Sequence, residues 1–262
     1  MKVPSARSLR MGALVAASLT LAACATGGQP RAGVVNTSRM GVVKGPGVVA
    51  PGVLQVEAGY SQAERGERIR RTYGETLLRA GLGYDTELRA TLPSYLRTVS
   101  PTASPEGAGD AALALKHRVR VPAGWRPGVA LVLGTTLPTG ADAVSAGDPQ
   151  PEAIASAEWR LPHATALVVL AGHRHAVLAG DRFGQNTLGA AARTDFGRSV
   201  TGQLEYVRIS ATRAGATDIG QLRGTVALRV TRDLQLDGWA GRATQDGVPA
   251  EAQFGVGVTR RW

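Results

Sequence analysis

The chain has 262 residues, of which 44% are hydrophobic and 19% charged, with 34 glycines, 5% aromatic residues and a formal charge of +10. This composition excludes a disordered tail, and the glycine content with few long helical patterns favours many short strands over a helical enzyme. A single cysteine rules out intramolecular disulfides and cysteine-cluster metal sites. The arginines, spread singly with no basic helix and no interleaved aromatics, argue against a nucleic-acid partner.

The first residues, 1–23, carry Lys2, Arg7 and Arg10 and then an apolar run from Met11 to Ala23 that is short for a membrane span, the pattern of a secretory signal peptide. Its removal lowers the positive balance by three charges. The run ends in Leu21-Ala22-Ala23-Cys24, which resembles the bacterial lipobox, so Cys24 is the expected lipid anchor. The other reading is ordinary cleavage near Ala23 or Ala25. Ala25 after the cysteine resembles the outer-membrane sorting pattern of a Gram-negative envelope, with the lipoprotein-sorting machinery as the implied partner. Residues 24–52 are rich in Gly and Pro and read as a tether that would span roughly 30 Å as a flexible coil. The pairs Val34-Val35, Val42-Val43 and Val48-Val49 leave open a short strand or a plug segment instead.

From Val53 onward apolar residues recur at every second position, the period of a strand. Leu54, Val56, Ala58 and Tyr60 oppose Gln55, Glu57, Gly59 and Ser61, and a polar connection is expected over 63–74. A second strand over 75–83 turns at Tyr84-Asp85-Thr86 into a third, with Leu88, Ala90 and Leu92 opposite Glu87, Arg89 and Thr91. A long loop over 97–109 follows. The fourth strand sets Leu113, Leu115, Val119 and Val121 against Lys116, Arg118 and Arg120, and a Pro/Gly turn leads to the fifth, with Val129, Leu131, Leu133 and Leu137. After a loop over 139–151 the sixth sets Ala153, Ala155, Ala157 and Trp159 against Ile154, Ser156, Glu158 and Arg160. The seventh starts near Thr165, and a loop through Gly180-Asp181-Arg182 leads to the eighth. The ninth places Leu204 and Tyr206 opposite Gln203 and Glu205. The tenth places Leu222, Val226 and Leu228 opposite Arg223, Thr225 and Arg229, the eleventh runs over 234–242, and the last ends on Phe254, Val256, Val258 and Trp262.

About twelve strands of roughly ten residues, with short and long connections alternating, predict an all-β fold: an antiparallel up-and-down transmembrane β-barrel over 53–262. Closure is required because no strand edge can face hydrocarbon unpaired. The alternation alone also fits a lipid-anchored β-sandwich or barrel lipoprotein that binds an apolar ligand or a protein partner without a pore. The closing strand, with Gly257 and a terminal Trp262, is similar to the signal read by the barrel-assembly machinery. Tyr60, Tyr95, Trp159, Phe196, Tyr206 and Trp262 supply a thin aromatic belt for contact with outer-membrane lipid.

Several segments resemble the outer-membrane transporter-like family named for the MetA pathway of phenol degradation. They are Gly107-Ala108-Gly109-Asp110 leading to Leu113-Ala114-Leu115-Lys116-His117-Arg118, Glu87-Leu88-Arg89, Thr136-Leu137-Pro138-Thr139-Gly140, and the Gly/Val closing strand. The resemblance spans most of 53–262. It implies an outer-membrane barrel with a transport role for small solutes, sometimes tied to aromatic-compound catabolism.

No catalytic constellation emerges. His173 and His175 share one strand face, but only two ligands of a metal site are visible. Ser156, Ser210 and the four histidines form no recognisable nucleophile–base spacing, and Gly107-Ala108-Gly109 precedes a strand rather than a helix, which rejects a phosphate cradle. The expected function is therefore a porin-like pore, not an enzyme, with neither metal nor cofactor. Its lumen-facing residues are expected to be Glu57, Arg79, Glu87, Arg89, Lys116, Arg118, Arg120, Glu158, Glu205, Arg223 and Arg229, and the basic excess would bias it towards anions. If opposite charges pair across the interior, the lumen is filled and the barrel is a tethered scaffold instead.

Overall fold

The computed structural model describes residues 34–213 and 215–262. The expected leader, Cys24 and the expected tether up to residue 33 lie outside the described residues. Fourteen strand segments follow in chain order: β1 (Leu54–Arg65), β2 (Arg68–Gly83), β3 (Thr86–Thr91), β4 (Tyr95–Val99), β5 (Glu106–Ala108), β6 (Ala111–Arg120) and β7 (Gly128–Leu137). The remainder are β8 (Gln150–Leu161), β9 (Thr165–Leu178), β10 (Asp181–Phe196), β11 (Val200–Ala211), β12 (Ile219–Arg229), β13 (Leu234–Gln245) and β14 (Val248–Arg261).

Every pairing is antiparallel between neighbours, and β1 bonds both β2 and β14, so the sheet closes on itself. β4 continues β3, and β5 leads into β6, across breaks at Leu92-Pro93-Ser94 and Gly109-Asp110, so the barrel has twelve staves. Proline cannot donate to a ladder, and Pro93 marks the first of these breaks. The seam is held by main-chain bonds from the Trp262 amide to the Leu54 carbonyl at 2.9 Å and from the Leu54 amide to the Trp262 carbonyl at 3.3 Å.

The period-2 pattern sorts the two faces. Leu88, Leu113, Leu115, Leu133, Leu188, Leu204, Leu222, Val226 and Val256 stand exposed on the outside, while Gln55, Glu57, Arg79, Glu87, Glu205 and Thr259 are buried inside. This is the inversion of a water-soluble protein that hydrocarbon contact requires. Phe254, Tyr60, Tyr73 and Tyr95 form an outer aromatic row on β14, β1, β2 and β4, with successive ring centroids 6.3, 5.2 and 6.2 Å apart.

The expected alternation of long and short connections is corrected by the structure. The start of β1, the end of β14 and the turns at 84–85, 121–127, 162–164, 197–199 and 230–233 lie at one end, here the near end. At the far end, loops over 100–105, 138–149 and 212–218 are interspersed with two-residue turns at 66–67, 179–180 and 246–247. Residues 63–74, expected to be a connection, continue as β1 and β2, and the expected loop at 97–109 holds parts of β4 and all of β5. The strands extend through stretches that are polar on both faces, where alternation in hydrophobicity fades although alternation in side-chain direction persists. The tight turn at Ala179-Gly180 is allowed because both residues take positive φ, the geometry that matches strand twist in two-residue hairpins.

Candidate functional site in the barrel lumen

The lumen is not empty. Residues 34–53 enter beside the β12–β13 turn, where the Val35 amide bonds the Arg232 carbonyl at 2.9 Å. They run around the inside without forming a strand or helix and rejoin the wall at Gly81, which exchanges main-chain bonds with Gly52 and Val53 at 3.0 Å each. The stretch expected as a tether thus has its second part, from Val34, folded into the barrel as a plug.

An irregular buried segment leaves its backbone groups without ladder partners, and each unmet group carries a desolvation cost. The wall meets them with ionic side chains. Glu57 accepts from the Ser38 amide at 2.8 Å, Thr37 Oγ1 at 2.9 Å, Gln55 Nε2 at 2.9 Å and Arg79 Nη1 at 3.0 Å. Glu205, on the opposite side, accepts from the Val42 and Val43 amides at 3.0 and 2.9 Å. Glu87 accepts from the Val49 amide at 2.8 Å, and Lys116 Nζ donates to the Gly45 and Gly47 carbonyls at 2.7 and 2.8 Å. Thr225 Oγ1 donates to the Met40 carbonyl at 2.6 Å.

The wall charges are also paired with one another. Arg79, 1% exposed, donates to Glu57 and to Glu87, its Nη2 lying 2.8 Å from Glu87 Oε2. Arg89 reaches Glu87 at 2.8 Å and Ser38 Oγ at 3.1 Å. Arg193 reaches Glu158 at 3.0 Å, and Arg223 lies 3.7 Å from Glu205 with its guanidinium 3.8 Å over the Trp239 ring. Arg118 bonds Asp85 at the near end.

Of the eleven side chains expected to face the lumen, Glu57, Arg79, Glu87, Arg89, Lys116, Glu158 and Glu205 are buried in this network, and Arg118, Arg223 and Arg229 are partly buried. Arg120 is exposed at the near rim, where its Nε donates to the Pro127 carbonyl. A register shift between Arg118 and Arg120 turns its side chain off the inner face.

The sequence reading missed the plug residues themselves, above all Arg39. Its Nη2 lies 3.0 Å from Glu75 and 3.1 Å from the Val256 carbonyl, and its Nε lies 3.4 Å from Asp237. Gly59 and Gly257, which face each other across the β1–β14 seam, leave the space for this guanidinium, and a Cβ on either would collide with it. Gly257, expected as part of an assembly signal, is a packing position for Arg39 in the structure.

Also missed was an apolar inner patch, in which Val43 of the plug packs on Val168, Leu170, Ala191 and Val207 with Ile154 and Ile209 beside them. β9 is apolar on both faces over 166–171, so its sequence carries no sign of which face is inside. His173 and His175 both lie exposed, their rings 5.1 Å apart, with His173 Nδ1 2.8 Å from Asn186 Oδ1. Among the described residues no three metal-ligating side chains cluster.

Among the described residues, cavities of about 740, 600 and 400 Å³ border the plug. The largest of these opens among the near-end residues Tyr84, Asp85 and Pro122, and the other two adjoin at Leu77 and Thr91. Gly41 and Lys44 border all three.

At the far end, two stretches distant in sequence meet. The Asp110 carboxylate accepts from Ser145 Oγ at 2.7 Å, the Gly140 amide at 2.9 Å and the Ala146 amide at 3.0 Å, clasping the loop over 138–149. Burial opposes ionisation of this group, but those donors prevail and hold its carboxyl below the usual range.

No family model matches the chain, and no curated protein matches it. Among solved structures it is similar to the COG4313 outer membrane channel from Pseudomonas putida F1, with 14% identity and a TM-score of 0.62 over 87% of this chain and 100% of that one. The NanC porin aligns with 9% identity and a TM-score of 0.57 over 79% and 98% of the two chains. The translocator domain of the autotransporter NalP from Neisseria meningitidis gives 12% and 0.52 over 80% and 88%. At these identities the likeness establishes architecture: the chain has the fold of an outer-membrane β-barrel.

Proposed function

We propose that this protein is an outer-membrane channel for small solutes, constricted by its own residues 34–53. The observation that carries the reading is a closed barrel, apolar outside and ionic inside, whose lumen holds cavities bordering a segment without regular structure. The resemblance to the phenol-degradation transporter-like family supports the same role. So does the meeting of two of its motif segments at Asp110. In this reading the partners are outer-membrane lipid, the barrel-assembly machinery acting on the Trp262 end, the lipoprotein-sorting machinery acting on Cys24, and a small solute. No reaction is assigned.

The test uses a Cys24→Ser variant exported by an ordinary signal peptide. Retention in carbonate-washed outer membranes, heat-modifiable migration and conductance in planar bilayers are expected. Release as a soluble monomer would remove the membrane reading altogether. A second reading is favoured by the plug's hydrogen bonds to Glu57, Glu87 and Glu205: a sealed, lipid-tethered barrel that serves as a scaffold. An integral barrel that never conducts, with or without residues 34–52, would select it.

A further inference from the structure

The 400 Å³ cavity beside the plug has an unusual lining. Four cations border it, Lys44, Arg89, Lys116 and Arg174, against one carboxylate, Glu152. That carboxylate is already taken, since Arg174 Nη2 lies 2.6 Å from it. The other nearby carboxylates are committed too: Glu57 to Arg79 and the Ser38 amide, Glu87 to Arg79, Arg89 and the Val49 amide. Among the described residues Lys116 donates to two carbonyls and to no carboxylate. Lys44 has neither a hydrogen bond nor an ion pair among the described residues, although Arg89, Glu57, Glu152 and Arg79 all act on its charge. An ammonium with no acceptor beside a cavity is a charge awaiting a partner.

Of the rest of the lining, Leu77, Val132, Ile154, Leu170 and Ile209 supply an apolar side, and Thr91, Ser156, Gln185 and Thr187 add neutral polar groups. A cationic floor with a partly apolar wall, in a volume within the ordinary range of small-ligand sites, suits a ligand with one anionic head and one apolar body. We infer that this cavity binds a small organic monoanion, a carboxylate with an apolar body, whose head is held by Lys44 on the plug. Arg89 and Arg174 flank that head, and the apolar side chains cover the body. The site deepens the channel reading and rests on it for its purpose, because a solute held there touches the segment that constricts the lumen.

The experiment uses the full mature chain in detergent and follows binding of benzoate by titration calorimetry, with benzamide and acetate as the uncharged and the headgroup-only probes. Benzoate is expected to bind and the other two to bind at least tenfold more weakly. Lys44→Gln should weaken benzoate tenfold or more, and Lys44→Arg should restore most of it. Because Lys44 holds no wall residue, both variants should keep heat-modifiable migration. Equal binding of benzamide, equal binding of acetate, or an unchanged Lys44→Gln variant would each overturn the assignment. Conductance of the same preparations separates this site from the channel: no benzoate binding in a conducting barrel removes the site alone, whereas binding in a barrel that never conducts keeps the site and removes the channel.

Discussion

The inner wall has two halves that hold the same plug by different physics. On β1, β2, β3 and β6 the contacts are ionic, built from Glu57, Arg79, Glu87, Arg89 and Lys116, and they receive the plug's amides and carbonyls. On β9, β10 and β11 the contact is chiefly apolar, with Val43 seated on Val168, Leu170, Ala191 and Val207, and Glu205 alone supplies carboxylate acceptors. The ionic half fixes where each backbone group goes, since a displaced amide would leave a buried charge unmet. The apolar half fixes depth by packing and leaves register to Glu205 alone.

The largest expected effect comes from removing what both halves hold. Deleting residues 34–52 should raise single-channel conductance several-fold, and an unchanged conductance would mean that the constriction lies elsewhere. Breaking the ionic half comes next. Glu57→Ala leaves Arg79 and the Ser38 amide without their shared acceptor and should destabilise the barrel by about 3 kcal/mol, the cost of orphaning a buried partner, read as a lower midpoint of the heat-modifiable transition. On the apolar half, Val43→Ala should cost only about 1–2 kcal/mol by the same measurement. If the two substitutions cost the same, the division of labour between the halves is not real.

The smallest effect lies outside the comparison and calibrates it, because Asp110 is a carboxylate clasp beyond the lumen. Its folded-state pKa is depressed, so its contribution is complete above the ordinary carboxylate pKa and is lost as pH falls through its own lower value. Cleavage of the loop over 138–149 by a broad-specificity protease should therefore quicken at the acid end of the range, and Asp110→Asn should quicken it at neutral pH. A loop equally resistant in that variant would show that the clasp does not hold it.

The barrel was legible in the sequence because hydrocarbon contact imposes a one-sided code. Leu88, Leu113, Leu222 and Val256 stand alternately with Glu87, Lys116, Arg223 and Thr259 on four strands, and the structure puts the apolar set outside and the polar set inside. The ends of the strands were not legible, because above the apolar band residues such as Arg70, Arg71 and Thr72 are polar on both faces. Nor was the outward turn of Arg120, which a bulge decides. The Gly and Pro residues and Val pairs of the plug allowed a lumenal segment without requiring one. What places it is a match between Ser38, Val43 and Val49 amides and carboxylates at 57, 205 and 87, and such a match has no local spacing to read.

The Gly59–Gly257 pair bears on how the molecule is made. These residues come from the first and last staves, whose joining is the most non-local step in the chain and therefore the one that loop-closure entropy most delays. Across the saddle they form lies Arg39, reaching Glu75 of the second stave and Asp237 of the next to last. One side chain thus bridges, from within, the strands flanking that joint. The segment that narrows the finished lumen is also the clasp under which its wall is zipped shut, so a barrel deprived of it should form its last joint more slowly than one that keeps it.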